Sequence, residues 1–130
     1  MEKVAHEQLS EYLINNNILV KNQSGFRSKH SCESALQLTV TNWKQAIDNN
    51  KYTIAVFVDL KRAFETIDRS ILMTKIKKCG IGGRVFDWLN DYLLNRFQKT
   101  KVKSKFSNVI ATNFGVPQGS TLGPLLFLIY

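Results

Sequence analysis

The sequence predicts a mixed α/β or α+β fold, and three stretches carry that expectation. Residues 32–47 place Cys32, Ala35, Leu36, Thr39, Val40, Trp43, Ala46 and Ile47 at helical spacing. Residues 53–60, TIAVFVDL, are β-branched and apolar on both faces, the pattern of a central strand covered on both sides. Residues 98–106, QKTKVKSKF, switch from helical spacing to the alternation of a strand. Helices before and after a buried strand, in 130 residues, suit one core of mixed class better than two ordinary domains.

The elements follow in order. Residues 2–14 form an amphipathic helix with Val4, Leu9, Tyr12 and Leu13 on one side, and Asn15, Asn16 and Asn17 end it. A polar loop, NQSGFRSKHS, leads to Ser31, whose hydroxyl caps the long helix. Asp48, Asn49 and Asn50 break that helix before the predicted strand. Asp68 caps a short helix from about Ser70 to Cys79, with Gly80 just beyond its end. A further helix from about Arg84 to Asn95 gathers Val85, Phe86, Leu89, Tyr92 and Leu93. The lysine-rich strand then turns near Asn108 and returns as VIATNF. A last helix begins near Ser120.

Composition narrows the function classes. With 44% hydrophobic and 22% charged residues the chain is globular rather than disordered. It has no apolar run long enough for a membrane span and no signal-peptide core at MEKVAHEQLS. The formal net charge of +8 favours a polyanionic partner, or serves solubility alone. Cys32 and Cys79 have no CxxC pairing; they suit a reduced intracellular protein and small core positions in their helices. His6 and His30 lack metal-ligand spacing and suit loop or surface roles. The closing GPLLFLIY stops inside an apolar segment that needs cover, the sign of a truncated chain.

Two stretches carry chemistry. Asp59 ends the apolar run at the strand position where open sheets place ligands, so it needs a partner: a divalent cation, a helix cap or an arginine such as Arg62. GVPQGSTLGP, residues 115–124, concentrates Gly115, Gly119 and Gly123 with Pro117 and Pro124 around Gln118, a shaped turn whose backbone can approach a ligand. It is neither GxSxG nor a Walker A loop. Lys99, Lys101, Lys103 and Lys105 share one face of the predicted strand, either to line a phosphate backbone or to protect an edge.

FVDLKRAFETID followed by GVPQGSTLGPLLF resembles the reverse transcriptase of non-LTR, LINE-type (jockey or CR1-like) retrotransposons. NQSGFRSKHSCESAL is similar to that family's preceding block, and GIGGRVFDWLNDYLLNRFQKTKV to the segment linking the two motifs. The resemblance covers nearly the whole chain. It implies part of a right-hand polymerase fold, fingers and palm, incomplete at both ends. Residues 1–50 would be fingers, 51–69 palm, 70–117 fingers and 118–130 a palm helix.

The activity implied is RNA-directed addition of deoxynucleotides to a primer 3′-hydroxyl by two-metal phosphoryl transfer. Asp59 would be the catalytic aspartate holding Mg²⁺, two ions in the complete enzyme, with the Leu60 carbonyl beside it. Backbone amides around Arg62 and Ala63 would meet the triphosphate, and Phe64 would exclude a 2′-hydroxyl. Gln118 and Gly119 would pack against the nascent base pair, and Gly25, Phe26 and Arg27 near the template. The implied partners are an RNA template, a DNA primer, deoxynucleoside triphosphates and the remainder of the polymerase chain, in the cytoplasm and nucleus and without a membrane.

Departures from the family bound that activity. Relatives are expected to read AFDxVD where this chain has Glu65, whose role stays open. The aromatic-x-Asp-Asp motif with the second catalytic aspartate would fall beyond Tyr130, and an arginine-bearing fingers block before Met1. The isolated chain is therefore expected to be inactive. The competing readings are a non-catalytic RNA-binding relic of a retrotransposon and an RNase H-like nuclease. The nuclease needs gathered carboxylates, and after Asp68 only Asp87 and Asp91 remain, on a predicted helix.

Overall fold

The computed structural model describes every residue from Met1 to Tyr130. The chain forms two compact units, residues 1–18 with 62–130, and residues 19–61. The class is α+β, with five helices and two small two-stranded sheets.

The larger unit holds every buried apolar side chain of the protein. Its helices are α1 (Glu2–Asn15), α3 (Arg69–Lys78), α4 (Gly83–Leu93) and α5 (Gly123–Ile129). Helix α3 packs against α4 and α5. Leu72 and Ile76 of α3, Leu89 and Leu93 of α4, and Leu126 of α5 are almost wholly buried, joined by Leu13 of α1 and by Ile67. Burying each such side chain contributes about 1.5–3 kcal/mol. The closing GPLLFLIY is therefore covered by the chain's own helices, contrary to expectation: Leu125, Leu126 and Ile129 are buried. Helix α5 begins at Gly123, later than Ser120, because Ser120 closes a turn first; its hydroxyl donates to the Pro117 carbonyl and accepts from the Gly123 amide.

The expected helix ends are present. Past α3, the Gly80 amide bonds the Lys77 carbonyl and the Ile81 amide the Ile76 carbonyl, a Schellman closure with Ile76 and Ile81 both buried. Gly80 has φ +84°, and a Cβ there would lie 2.8 Å from the Tyr12 hydroxyl, which itself donates to the Cys79 carbonyl and fastens α1 to α3. Asn17 closes α1 in the same way at φ 53°. At the other end of α3, the Asp68 carboxylate accepts from the Ser70 hydroxyl and the amides of Ser70 and Ile71.

The smaller unit contains α2 (Cys32–Asp48). Ser31 caps it as predicted, in a reciprocal box with Ser34. Asn50 closes it at φ 53° through a second Schellman pair, Asn50 to Ile47 and Lys51 to Ala46. The predicted apolar stripe is half covered at Ala35, Thr39, Val40, Trp43 and Ala46, whereas Leu36, Ile47 and Cys32 are exposed. Cys32 is thus no core residue, and Cys79 is half-buried, with burial pushing its thiol pKa up.

The predicted central strand is absent. Residues 51–60 have no regular structure, and Ile54, Val56, Phe57 and Val58 are 90%, 80%, 85% and 78% exposed. A strand exists only through its neighbours, and no backbone group of residues 52–61 finds a hydrogen-bond partner. The residues have the composition of a buried strand without the sheet that would bury them.

The hairpin forms with a different turn. Strands β1 (Arg96–Gln98) and β4 (Ile110–Thr112) pair antiparallel, with Arg96 opposite Thr112; beyond them β2 (Lys101–Val102) pairs with β3 (Lys105–Phe106). The reversal is at Lys103-Ser104, with Lys103 at φ 55°, not near Asn108. Two-residue hairpin turns need such a residue to match strand twist.

Leu126→Ala should lower unfolding stability by about 2–5 kcal/mol, while Val56→Ala should change it by no more than about 0.5 kcal/mol. Equal losses in chemical denaturation would refute the assignment of core and exposed run. The hydrogen bonds to Asp68, the Ser70 hydroxyl first, hold its carboxyl below its ordinary 3.8. A carboxyl depressed in the folded state stabilises above its unfolded pKa, and that contribution is lost as pH falls through the folded value. The amide resonances of Ser70 and Ile71 should therefore titrate with a midpoint below 3.8. A midpoint at or above that value would contradict the cap.

Candidate functional site

The structure brings the segment following Asp59 against the glycine-rich loop. The Val116 amide donates to the Phe64 carbonyl (3.0 Å) and the Gly115 amide to the Ile67 carbonyl (2.8 Å). Asp68 and Phe114 form an antiparallel bridge. This approach requires glycine at 115: its φ is +78°, and a Cβ would sit 2.9 Å from the Phe64 and Glu65 carbonyl oxygens and the Glu65 Cα.

The far side of the loop is also held. Glu2 of α1 accepts from the Thr121 amide (3.2 Å) and from the Tyr92 hydroxyl of α4. Burial first, and then Glu2, push the Tyr92 hydroxyl pKa up. Between these anchors Gln118 and Gly119 form an exposed apex, with open space beside Gly119.

Glu65 connects the apex to the first motif. Its Oε1 accepts from Gln118 Nε2 at 3.0 Å, and its Oε2 lies 3.5 Å from Arg62 Nε. The Arg62 and Glu65 side chains are 71% and 48% exposed, so water screens the ion pair to about 0–1 kcal/mol. Arg62 adopts φ 54°, and its carbonyl accepts from the Glu65 and Thr66 amides in a tight turn. Ala63 and Phe64 are half-buried, the Phe64 ring tilted on Phe127 of α5 with centroids 4.6 Å apart.

Two arginines that sequence reasoning missed complete this region. Arg69 Nε donates to the Gly115 carbonyl (2.8 Å), and its two terminal nitrogens to the Thr112 (2.5 Å) and Phe114 (3.0 Å) carbonyls. Burial first, then the charge of Arg96, lower the Arg69 pKa. Arg96 Nε donates to the Tyr92 carbonyl (2.7 Å), and its guanidinium lies 4.7 Å from the Tyr92 ring centroid. With Glu65, Gln118, Phe97 and Phe114 they line an open cleft of about 560 Å³. Arg69 had one signal in the sequence: a cation in the first turn of α3 opposes the helix dipole and so calls for a tertiary partner.

Asp59 and Leu60 belong to the smaller unit and are exposed. Gly25 and Phe26 are exposed, while one Arg27 nitrogen donates to the Val20 (2.9 Å), Gln23 (3.3 Å) and Lys21 (3.5 Å) carbonyls of its own loop. The four lysines do not form the predicted row. The turn at Lys103 puts Lys101 opposite Phe106 and Lys105 opposite Val102, on two strands. The Lys99 and Lys101 ammonium groups lie 4.5 and 5.5 Å from the Phe106 ring centroid, sharing a face with a side chain expected on the other. No three His, Cys, Asp or Glu side chains gather where they could hold a metal ion, so these residues do not fit a complete divalent-metal site. No helix is long and apolar enough to cross a membrane.

Comparison with known proteins agrees with the motif pattern. The family model described as reverse transcriptase (RNA-dependent DNA polymerase) matches residues 1–130. A probable RNA-directed DNA polymerase from transposon BS of Drosophila melanogaster is 32% identical over 129 residues, 99% of this chain and 14% of that protein. Its counterpart from transposon X-element of the same species is 34% identical, over 87% of this chain and 12% of its own length. The RNA-directed DNA polymerase from mobile element jockey of Drosophila melanogaster is 29% identical over 85% of this chain and 12% of its own. The chain thus spans at most 14% of these relatives. No solved structure matches it.

Gly115→Ala should destabilise the larger unit by about 2 kcal/mol or more, since a positive φ and a backbone clash act together. Unchanged thermal unfolding would refute the close approach of the two segments.

Proposed function

The chain belongs to the reverse transcriptase (RNA-dependent DNA polymerase) family, and from that premise we propose that it is the part of a retrotransposon polymerase that receives the incoming deoxynucleotide. The observation that carries this reading is the backbone pairing of Phe64–Ile67 with Gly115–Val116, which joins the two motifs into one surface. On that surface Phe64 limits the space at the sugar 2′ position. Backbone around Arg62 and Ala63 faces the triphosphate, and Gln118 with Gly119 faces the new base pair. Residues 1–50 and 70–117 serve as fingers, and 51–69 and 118–130 as palm. The hairpin lysines and Gly25, Phe26 and Arg27 lie along the RNA template and DNA primer.

Asp59 is the catalytic carboxylate in this reading, one ligand for a divalent ion such as Mg²⁺, with the Leu60 carbonyl beside it. A lone exposed carboxylate does not make a site for two ions, so the chain by itself is inactive. In this reading the protein acts in the cytoplasm and nucleus.

Residues 1–130 alone should extend no primer with Mg²⁺ present. In a full-length polymerase carrying these residues, Asp59→Ala should abolish extension in a primer assay. Phe64→Ala should keep activity but incorporate ribonucleotides. Extension by the isolated chain that disappears in its Asp59→Ala variant would overturn the inactivity claim, and unchanged sugar selectivity in Phe64→Ala would sink its assigned role.

A further inference from the structure

Glu65 is a surface residue whose two oxygens have different partners. Oε2 lies near Arg62, and Oε1 accepts from the Gln118 amide nitrogen. An ionised carboxylate only accepts hydrogen bonds, whereas a glutamine amide has a donor end and an acceptor end. Only the NH₂ end of Gln118 can therefore face Glu65, and its carbonyl oxygen is turned the other way. Glu65 thus selects one of two orientations that an exposed glutamine would otherwise exchange freely.

The surroundings make that selection usable. The loop backbone is held on both sides of the apex, at Gly115 and Val116 and again at Thr121. Gln118 and Glu65 both line the open cleft. Arg62 Nε lies 3.5 Å from the other oxygen of the same carboxylate.

We propose that Glu65 is a positioning residue that fixes the Gln118 amide so that the loop presents a hydrogen-bond acceptor to its ligand. That acceptor complements a donor group, a sugar hydroxyl or a nucleobase amino group. The inference rests on the reading of Gln118 as a nucleotide contact. Glu65→Gln removes the selection, because a neutral amide at 65 can face either end of Gln118. The double variant Glu65→Gln/Gln118→Glu restores it with the roles exchanged: the new amide donates inward, and the carboxylate at 118 can only accept.

The test is steady-state kinetics of a full-length polymerase carrying these residues. Glu65→Gln should raise the deoxynucleotide KM about three- to tenfold, the scale of one neutral hydrogen bond, with kcat within about twofold. The double variant should return KM to within about twofold of the original. A KM unchanged in Glu65→Gln, or a double variant no better than the single one, overturns the proposal. A merely structural role would lower kcat and thermal stability together and would not be rescued by the exchange. Should the unsubstituted polymerase extend no primer, the polymerase reading fails on its own, and NMR of this chain decides the inference. The two Gln118 side-chain amide protons should then show a fixed contact with Glu65 that Glu65→Gln loses; identical amide spectra would overturn it.

Discussion

Everything near the candidate site depends on one short piece of backbone pairing. Gly115 and Val116 bond the carbonyls of Ile67 and Phe64, and these contacts join segments far apart in sequence. Such a long loop closes at an entropic cost that rises only slowly with length, so a few well-made bonds can hold it when burial helps. Here Ile67 and Val116, on the two sides of the junction, are both buried. Arg69 reinforces the same place, its rigid fork satisfying three carbonyls, at the end of β4 (Thr112) and just past it (Phe114 and Gly115). A lysine could not do so from one point charge. Loss of this junction would separate Phe64 from Gln118 however well the helices formed.

Much of the helical framework was legible because it is local. Ser31 and Asp68 announce their helices through hydroxyl and carboxylate caps, and Asn17, Asn50 and Gly80 end theirs in the left-handed conformation that suits those residue types. These signals act within a turn or two, so the chain alone carries them. The apolar run at 54–58 shows the limit. Its β-branched composition says what environment it suits, but a strand is a relation between segments, and none pairs with it. The hairpin failed in a subtler way. Alternation in QKTKVKSKF was real, yet it did not show that the reversal falls inside the run, where Lys103 takes a positive φ.

The site was legible as residue types more than as contacts. The family resemblance marked Phe64, Gln118 and Gly119 without showing what fastens them. Glu65, whose role the residues alone left open, proves to be the side-chain link between the two motifs. The partners of Arg69 and Arg96, backbone carbonyls and an aromatic face, leave no pattern in sequence, and only the misplaced cation at the start of α3 hinted at one of them. Asp59 stands in the other unit, so its assignment rests on the family rather than on geometry.

The exposed stretch TIAVFV has a bearing on how the polypeptide is handled. It is uncharged, free of proline and glycine, and rich in side chains that stack well between sheets, the composition of a cross-β spine. Two copies meeting along this stretch would satisfy each other's backbone groups, and nothing in the geometry would stop a third from adding. Lys51 before it, and Lys61 and Arg62 beyond the single carboxylate of Asp59 after it, leave cations in excess at the margins of any such stack and oppose its growth. Those cations work against fibril formation best in dilute buffer, and added salt weakens them. Concentrating this chain at high ionic strength therefore invites precipitation through one hexapeptide, with the helical core still folded.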